Sequence, residues 1–296
     1  MKKVNSILFF IKRIKSIFYS FILIATLLQS CRKDADVILP NVEPKIVISS
    51  FISPQDSLIQ VAVSLSNPLY KNPNASNKYK PLIDATVTIS NGANSYTLSY
   101  NSNLERYVID SSQLKIVGGL TYYLSVKSAD GKYVSATTSI PRLNNTLTYT
   151  VTKNNLSNNA YILRGTWSDN DVTTIDNYRF EVFYTSFQLF SGYIDTLGSF
   201  TDTIKTWASD NIIISDKEGS VFQKELKFSY RTNKSDTVFT SITTMSKEYL
   251  DYTNKLNLAL NSFSGPFSEP VQMYTNIDGG LGIFAGYNLY KQRVYP

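Results

Sequence analysis

A chain of 296 residues with 29 lysines and arginines, 23 aspartates and glutamates and no histidine lacks the commonest general base and the commonest metal ligand. That excludes Ser-His-Asp and Cys-His catalysis and histidine-ligated zinc, and it leaves carboxylate-only and Ser-Lys schemes open. A single cysteine rules out an intramolecular disulfide, and a chain of this length can bury a sufficient apolar core without one.

Residues 1–30 read as an export signal. Lys2, Lys3, Lys12, Arg13 and Lys15 give a basic start with no acidic residue. Ile17 to Leu28 is apolar apart from Ser20 and Thr26, about a dozen residues where a membrane-spanning helix needs ~20. Leu28-Gln29-Ser30-Cys31 closes the run. It resembles the bacterial lipobox, in which the peptidase cuts before the cysteine, whose thiol and new amine are acylated. Cys31 is therefore the expected lipidation site, and the bland alternative is an uncleaved anchor with a chance cysteine. Beyond the signal, 24 basic and 23 acidic residues remain, so the formal charge of +6 does not translate into a basic patch and no nucleic-acid partner is expected. Arg32-Lys33-Asp34-Ala35-Asp36 is either a solvated tether or, with its acidic residues just after the cysteine, resembles the surface-export signal of Bacteroidota lipoproteins.

Residues 31–44 hold Pro40 and Pro44 and read as an extended tether. Strands are expected over 45–53 and 58–66, where Ile59, Val61, Val63 and Leu65 alternate with polar or small residues and so define one buried face. Asn67 to Pro81 carries three prolines and reads as a long loop. Short strands follow over 85–90, 95–100, 106–110, 122–128 and 133–140, with Asn91-Gly92 and Asp130-Gly131 as hairpin turns that tolerate positive φ. This spacing, with no helical stripe, predicts an immunoglobulin-like β-sandwich over 45–143. Pro141 and Asn144-Asn145 mark the expected boundary.

A second β-rich domain is expected over 144–296, with strands at 146–153, 160–167, 177–187, 220–231 and 237–244, and loops or an edge hairpin between Gly192 and Gly219. Ser246 caps a helix over 246–261. Its stripe of Tyr249, Tyr252, Leu256, Leu260 and Phe263 is expected to dock on the sheet, with a partner-binding helix as the alternative.

The run Pro266-Phe267-Ser268-Glu269-Pro270-Val271, followed by Tyr274 to Tyr287, is the most distinctive stretch. It resembles the closing signature of a group of Bacteroidota lipoproteins catalogued as domain of unknown function 4249. The lipobox, the Tyr122-Tyr123-Leu124 strand before Asp130-Gly131-Lys132 and the helix before Pro266 agree with that resemblance. The family has no established activity, so no catalytic residue follows from it. Its members often accompany TonB-dependent outer-membrane receptors, which implies an accessory role in uptake. Gly280, Gly282 and Gly286 lack the strand-to-helix context of a dinucleotide fingerprint and read as a tight turn and a close-packed strand.

Asp169-Asn170-Asp171 with Asp176 offers oxygen ligands for calcium but lacks the glycine and closing glutamate of an EF-hand loop, so a solvated turn is expected and no metal is assigned. Asp followed by Ser or Thr and an apolar residue occurs at Ser57, Thr196, Thr203 and Thr237. These resemble the O-glycosylation sequon of Bacteroidota, or are strand-initiating turns. The expected function is a non-enzymatic accessory or ligand-binding lipoprotein without cofactor, anchored in the outer membrane at its surface or periplasmic face, beside a TonB-dependent receptor. A structural or adhesive surface module is the runner-up. A glycan hydrolase would need two carboxyl groups about 5 to 10 Å apart in a cleft.

Overall fold

The computed structural model describes residues 18–19, 43–67, 80–143, 145–154, 160–169, 174–190, 200–207, 212–216, 222–231, 237–262 and 271–295, with backbone alone at 145–146, 184–190, 200–207, 222–226 and 230–231. The chain divides into two units, Met1–Val42 and Glu43–Pro296. Of the first, only the helical pair Phe18 and Tyr19 is described. No helix among the described residues is long and apolar enough to cross a membrane.

Over its described residues the second unit is mostly β, with one helix and a large mixed sheet. Its strands are β1 (Ile46–Ile52), β2 (Leu58–Leu65), β3 (Thr86–Ser90), β4 (Ser95–Asn101), β5 (Arg106–Asp110), β6 (Thr121–Lys127) and β7 (Tyr133–Ser139). There follow β8 (Asn145–Lys153), β9 (Ala160–Asp169), β10 (Asn177–Phe190), β11 (Phe200–Trp207), β12 (Ile212–Ser215), β13 (Phe222–Arg231) and β14 (Thr237–Met245). Helix α1 (Lys247–Ser262) and β15 (Leu281–Val294) complete it. The main sheet runs β11-β10-β14-β15-β1-β2-β5-β4-β3-β6-β7, with β12 paired to β10, and β13-β9-β8 form a separate three-stranded sheet.

Alternation of apolar and polar residues decides which face each strand buries. Ile46, Ile48 and Ile52 of β1, Ile59, Val61 and Val63 of β2, and Tyr122, Leu124 and Val126 of β6 all point into a first core shared by β1 to β7. The hairpin glycines behave as their turns require, with φ of +87° at Gly92 and +88° at Gly131. A second core lies between the small sheet and the β10-β14-β15 part of the large one. It is built on Trp167, whose ring meets Tyr178 edge-on at 5.8 Å and Phe180 at 6.0 Å. The chain passes from the first core to the second between β7 and β8, within the one compact unit Glu43–Pro296.

β15 joins the two. Its first half pairs in parallel with β1, from Val47↔Leu281 to Ile52↔Gly286. Its second half pairs antiparallel with β14, from Met245↔Tyr287 to Val238↔Val294. The sheet curls until β7 again approaches the start of β15, where Ser135 and Asp278 exchange backbone hydrogen bonds of 3.2 and 2.8 Å. Glycine lets β15 lie this close to both β1 and β7. A Cβ on Gly282, at φ +105°, would lie 1.9 Å from the Ile48 carbonyl oxygen, and one on Gly286 would lie 2.6 Å from that of Ser139.

The helix departs from expectation. Ser246 does cap it, with its Oγ accepting from the Tyr249 amide at 3.3 Å. Docking, however, is confined to the first turns, where Tyr249 and Tyr252 meet Phe51 at 4.8 and 6.0 Å and Tyr249 meets Tyr287 at 6.0 Å. Leu256 and Leu260 stay 36% and 63% exposed, and no helix residue is buried, so the stripe does not lie along the sheet over its full length. Phe263 lies outside the described residues. Between Gly192 and Gly219 the chain forms the edge strand β11 and the short β12, both hydrogen-bonded to β10.

Candidate functional site

The densest set of chemically active groups sits where β9 ends, β10 begins and β12 ends. Asp169 is the last residue of β9 and, being two residues from Trp167, points the same way into the second core. Tyr178, the second residue of β10, lies 0% exposed beside it. β12 pairs with β10 from Asn177↔Ser215 to Phe180↔Ile212, which carries Asp216 to the same place. The register is fastened by reciprocal bonds: the Asp216 amide donates to the Asp176 carbonyl at 3.1 Å, and the Asp176 amide donates to Asp216 Oδ1 at 2.7 Å. Ser215 Oγ donates to Asn177 Oδ1 at 2.6 Å alongside.

Asp169, Asp176 and Asp216 thereby bring carboxylate oxygens within 4.8 Å of one another, with Asp169 1% and Asp216 6% exposed. The Tyr178 hydroxyl donates to Asp169 Oδ2 and lies 3.4 Å from Asp216 Oδ2. Burial, then the bond to Asp169 and the surrounding negative charge, push the Tyr178 phenol far above its ordinary range, so it stays a donor. Burial, reinforced by the charge of Asp169, raises the Asp216 carboxyl. Three like charges this close are relieved by a proton on one carboxyl or by a hard cation held through oxygen. These are the residues that could ligate such an ion; they share the oxygen-only donor set of calcium and magnesium sites.

The expected solvated turn is thus corrected at Asp169, which is buried because its strand runs two residues past Trp167. Asn170 and Asp171 lie outside the described residues. The structure brings Asp169 and Asp176 together and adds Asp216, which the sequence did not single out. Its signal was slight: an acidic residue closing the apolar run Ile212-Ile213-Ile214 in a segment expected to be irregular.

A second polar cluster marks the junction of the two cores. The Tyr287 hydroxyl donates to Asp56 Oδ1 at 2.8 Å, and burial raises both the Asp56 carboxyl and the Tyr287 phenol. Gln55 reaches across the sheet to accept from the Leu289 amide at 3.0 Å and donate to Asn288 Oδ1 at 2.8 Å. Asn288, 3% exposed, in turn donates to the Pro141 carbonyl at 3.0 Å. These bonds tie the β1–β2 turn, the end of β7 and β15 together.

Among the expected modification sites, Ser57 is exposed in the turn before β2, and Thr237 is half-buried as the first residue of β14. Thr203 lies on β11 in the stretch described by backbone alone, opposite Phe187. Cys31 and Thr196 lie outside the described residues.

Over the described residues, fold and site define a mostly β protein in which one long strand threads two cores and a largely buried carboxylate cluster lies beside the second. The chain belongs to the family described as Domain of unknown function (DUF4249), which matches residues 33–293. No curated protein matches it. Among solved structures it is similar to the "Crystal structure of tetra-tandem repeat in extending region of large adhesion protein", at 11% identity and a TM-score of 0.21, over 86% of this chain and 74% of that one.

Proposed function

We propose that this protein is a non-enzymatic, lipid-anchored accessory or ligand-binding subunit of the outer membrane, working beside a TonB-dependent transporter. The observation that carries the reading is the placement of Cys31, the sole cysteine, after a basic start and a short apolar run, shortly before the unit that begins at Glu43. The resemblance to Bacteroidota envelope lipoproteins supplies the transporter as partner. The burial of Asp169 and Asp216 favours binding over hydrolysis, because a glycosidase must present its two carboxyl groups to a sugar in an open cleft.

We read β1 to β7 more finely as an immunoglobulin-like sandwich. Tyr122, at the start of β6, accepts from the Val117 amide at 2.8 Å and donates back to the Lys115 carbonyl at 3.4 Å, the bonding of a tyrosine corner. Exposed Ser57 suits a glycosylation acceptor better than half-buried Thr237 does, and the intact mass of the native protein would exceed the lipidated polypeptide mass if either is modified.

The test is mild detergent extraction of the tagged native protein, with the intact mass of the recovered chain. A β-barrel receptor recovered in near-equal amount, and a chain that begins at Cys31 and carries acyl groups, are the expected results. Protein recovered alone would replace the transporter reading with a free-standing adhesive or binding module; an unacylated chain, or one that keeps residues 1–30, would sink the lipid anchor.

A further inference from the structure

The outward face of the three-stranded sheet carries an open groove of about 430 Å³, lined by Thr148, Thr150, Arg164, Thr166 and Lys227 over the backbone of Gly165. The register explains the lining. Leu163, Trp167 and Phe228 point into the second core, so their neighbours Arg164, Thr166 and Lys227 point out. Thr150 pairs with Arg164 and Thr148 with Thr166 across one ladder, and Lys227 pairs with Arg164 across the other.

Two cations directly opposite on adjacent strands repel each other and cost stability. Arg164 and Lys227 are both exposed, and neither has an ion-pair partner among the described residues. Of the other lining residues, Thr148, Thr150 and Thr166 carry short hydroxyls, each able to donate and accept, while Tyr149 packs against the second core. Among the described residues β8 pairs with β9 alone, and its alternate residues repeat about every 6.8 Å along the strand. Arg164↔Lys227 is the one rung of the β9-β13 ladder with a cation on both strands; Thr166 is in register with Glu225 and Ile162 with Ser229.

We propose that this groove binds an acidic saccharide, with a carboxylate or sulfate held between Arg164 and Lys227 and sugar hydroxyls meeting Thr148, Thr150 and Thr166. One cationic rung is too little for a nucleic-acid backbone, which presents charge at every unit. Hydroxyl-lined walls match a sugar, whose groups also donate and accept, better than an acidic peptide. The inference rests on the binding part of the proposed function, and on neither the anchor nor the receptor.

The test is calorimetric titration of the full chain in detergent with a galacturonic acid hexamer. A neutral galactose hexamer, a hexaglutamate peptide and inorganic sulfate serve as comparisons. The uronate is expected to bind at least about tenfold more tightly than each comparison, with salt-sensitive affinity. Arg164→Gln/Lys227→Gln should lose about tenfold or more of that affinity while keeping or raising the melting temperature, because a repulsion is removed. Arg164→Gln alone, expected to lose about threefold, reads the same effect should the double variant unfold. Absent uronate binding, or binding unchanged in the variants, overturns the site. Neutral sugar, hexaglutamate or sulfate binding as well as the uronate overturns the ligand class. Receptor recovery is unaffected by either outcome, so the two readings fail separately.

Discussion

Gly282 shows how much can hang on the absence of one methyl group. Its φ of +105° and a would-be Cβ 1.9 Å from the Ile48 carbonyl leave no room for a side chain between β15 and β1. Gly282→Ala is expected to cost about 3 kcal/mol or more, or to prevent folding, measured as a lowered urea midpoint. Asp216 offers a test of opposite sign. Its carboxyl is raised by burial in the folded state, so the native chain holds its proton at pH values where the unfolded chain has lost it. The resulting stability is fully present below the ordinary aspartate range and is lost as pH rises through the folded value. Asp216→Asn keeps an acceptor for the Asp176 amide and removes the titrating group. In a chelator-containing buffer the variant should therefore match or exceed the wild-type melting temperature at pH 7.5 and gain less, relative to it, at pH 4. A wild type whose advantage grows with pH would refute this account of the cluster.

The elements differ in how legible they were. Hairpin strands such as β2, β5 and β6 were readable because alternation and Gly turns are local signals, and their observed limits agree with the expected ones to within a residue or two. The capped helix was readable for the same reason. Its docking was not, because a stripe of Tyr249, Tyr252, Leu256 and Leu260 states that a face is apolar without stating how much of it a partner covers. The cap and the stripe now give separable expectations. Ser246→Ala should cost about 1 kcal/mol. Leu260→Glu, at a position 63% exposed, should change stability by no more than about 0.5 kcal/mol in denaturant titration. The carboxylate cluster was half-legible: Asp169 and Asp176 are near in sequence, whereas Asp216 arrives only through the pairing of β12 with β10, for which no local residue pattern speaks.

For the whole molecule the decisive fact is that β15 belongs to both cores, with Phe284 in the first and Val294 in the second. No periodicity within residues 281–294 announces which distant strands it will join. Two cores on one continuous strand should melt together. Phe284→Ala and Trp167→Ala, both at fully buried positions, are each expected to cost about 3 to 5 kcal/mol and to shift one and the same transition. Two separated transitions in either variant would show that the cores unfold independently.

The parallel pairing of β1 with β15 also fixes the order in which the molecule can be made. Gln55 and its partner Leu289 are 234 residues apart, so an emerging chain presents β1 to solvent long before the strand that covers it exists. Until then one side of β1 is an open row of amide and carbonyl groups, an invitation to pair with another chain. Closing so distant a contact is slow, since the entropy of the intervening loop must be overcome before the ladder rewards it. Refolding should therefore be much slower than hairpin formation and increasingly lossy as concentration rises, and in the cell the nascent protein would need a holding factor until its last strand is delivered.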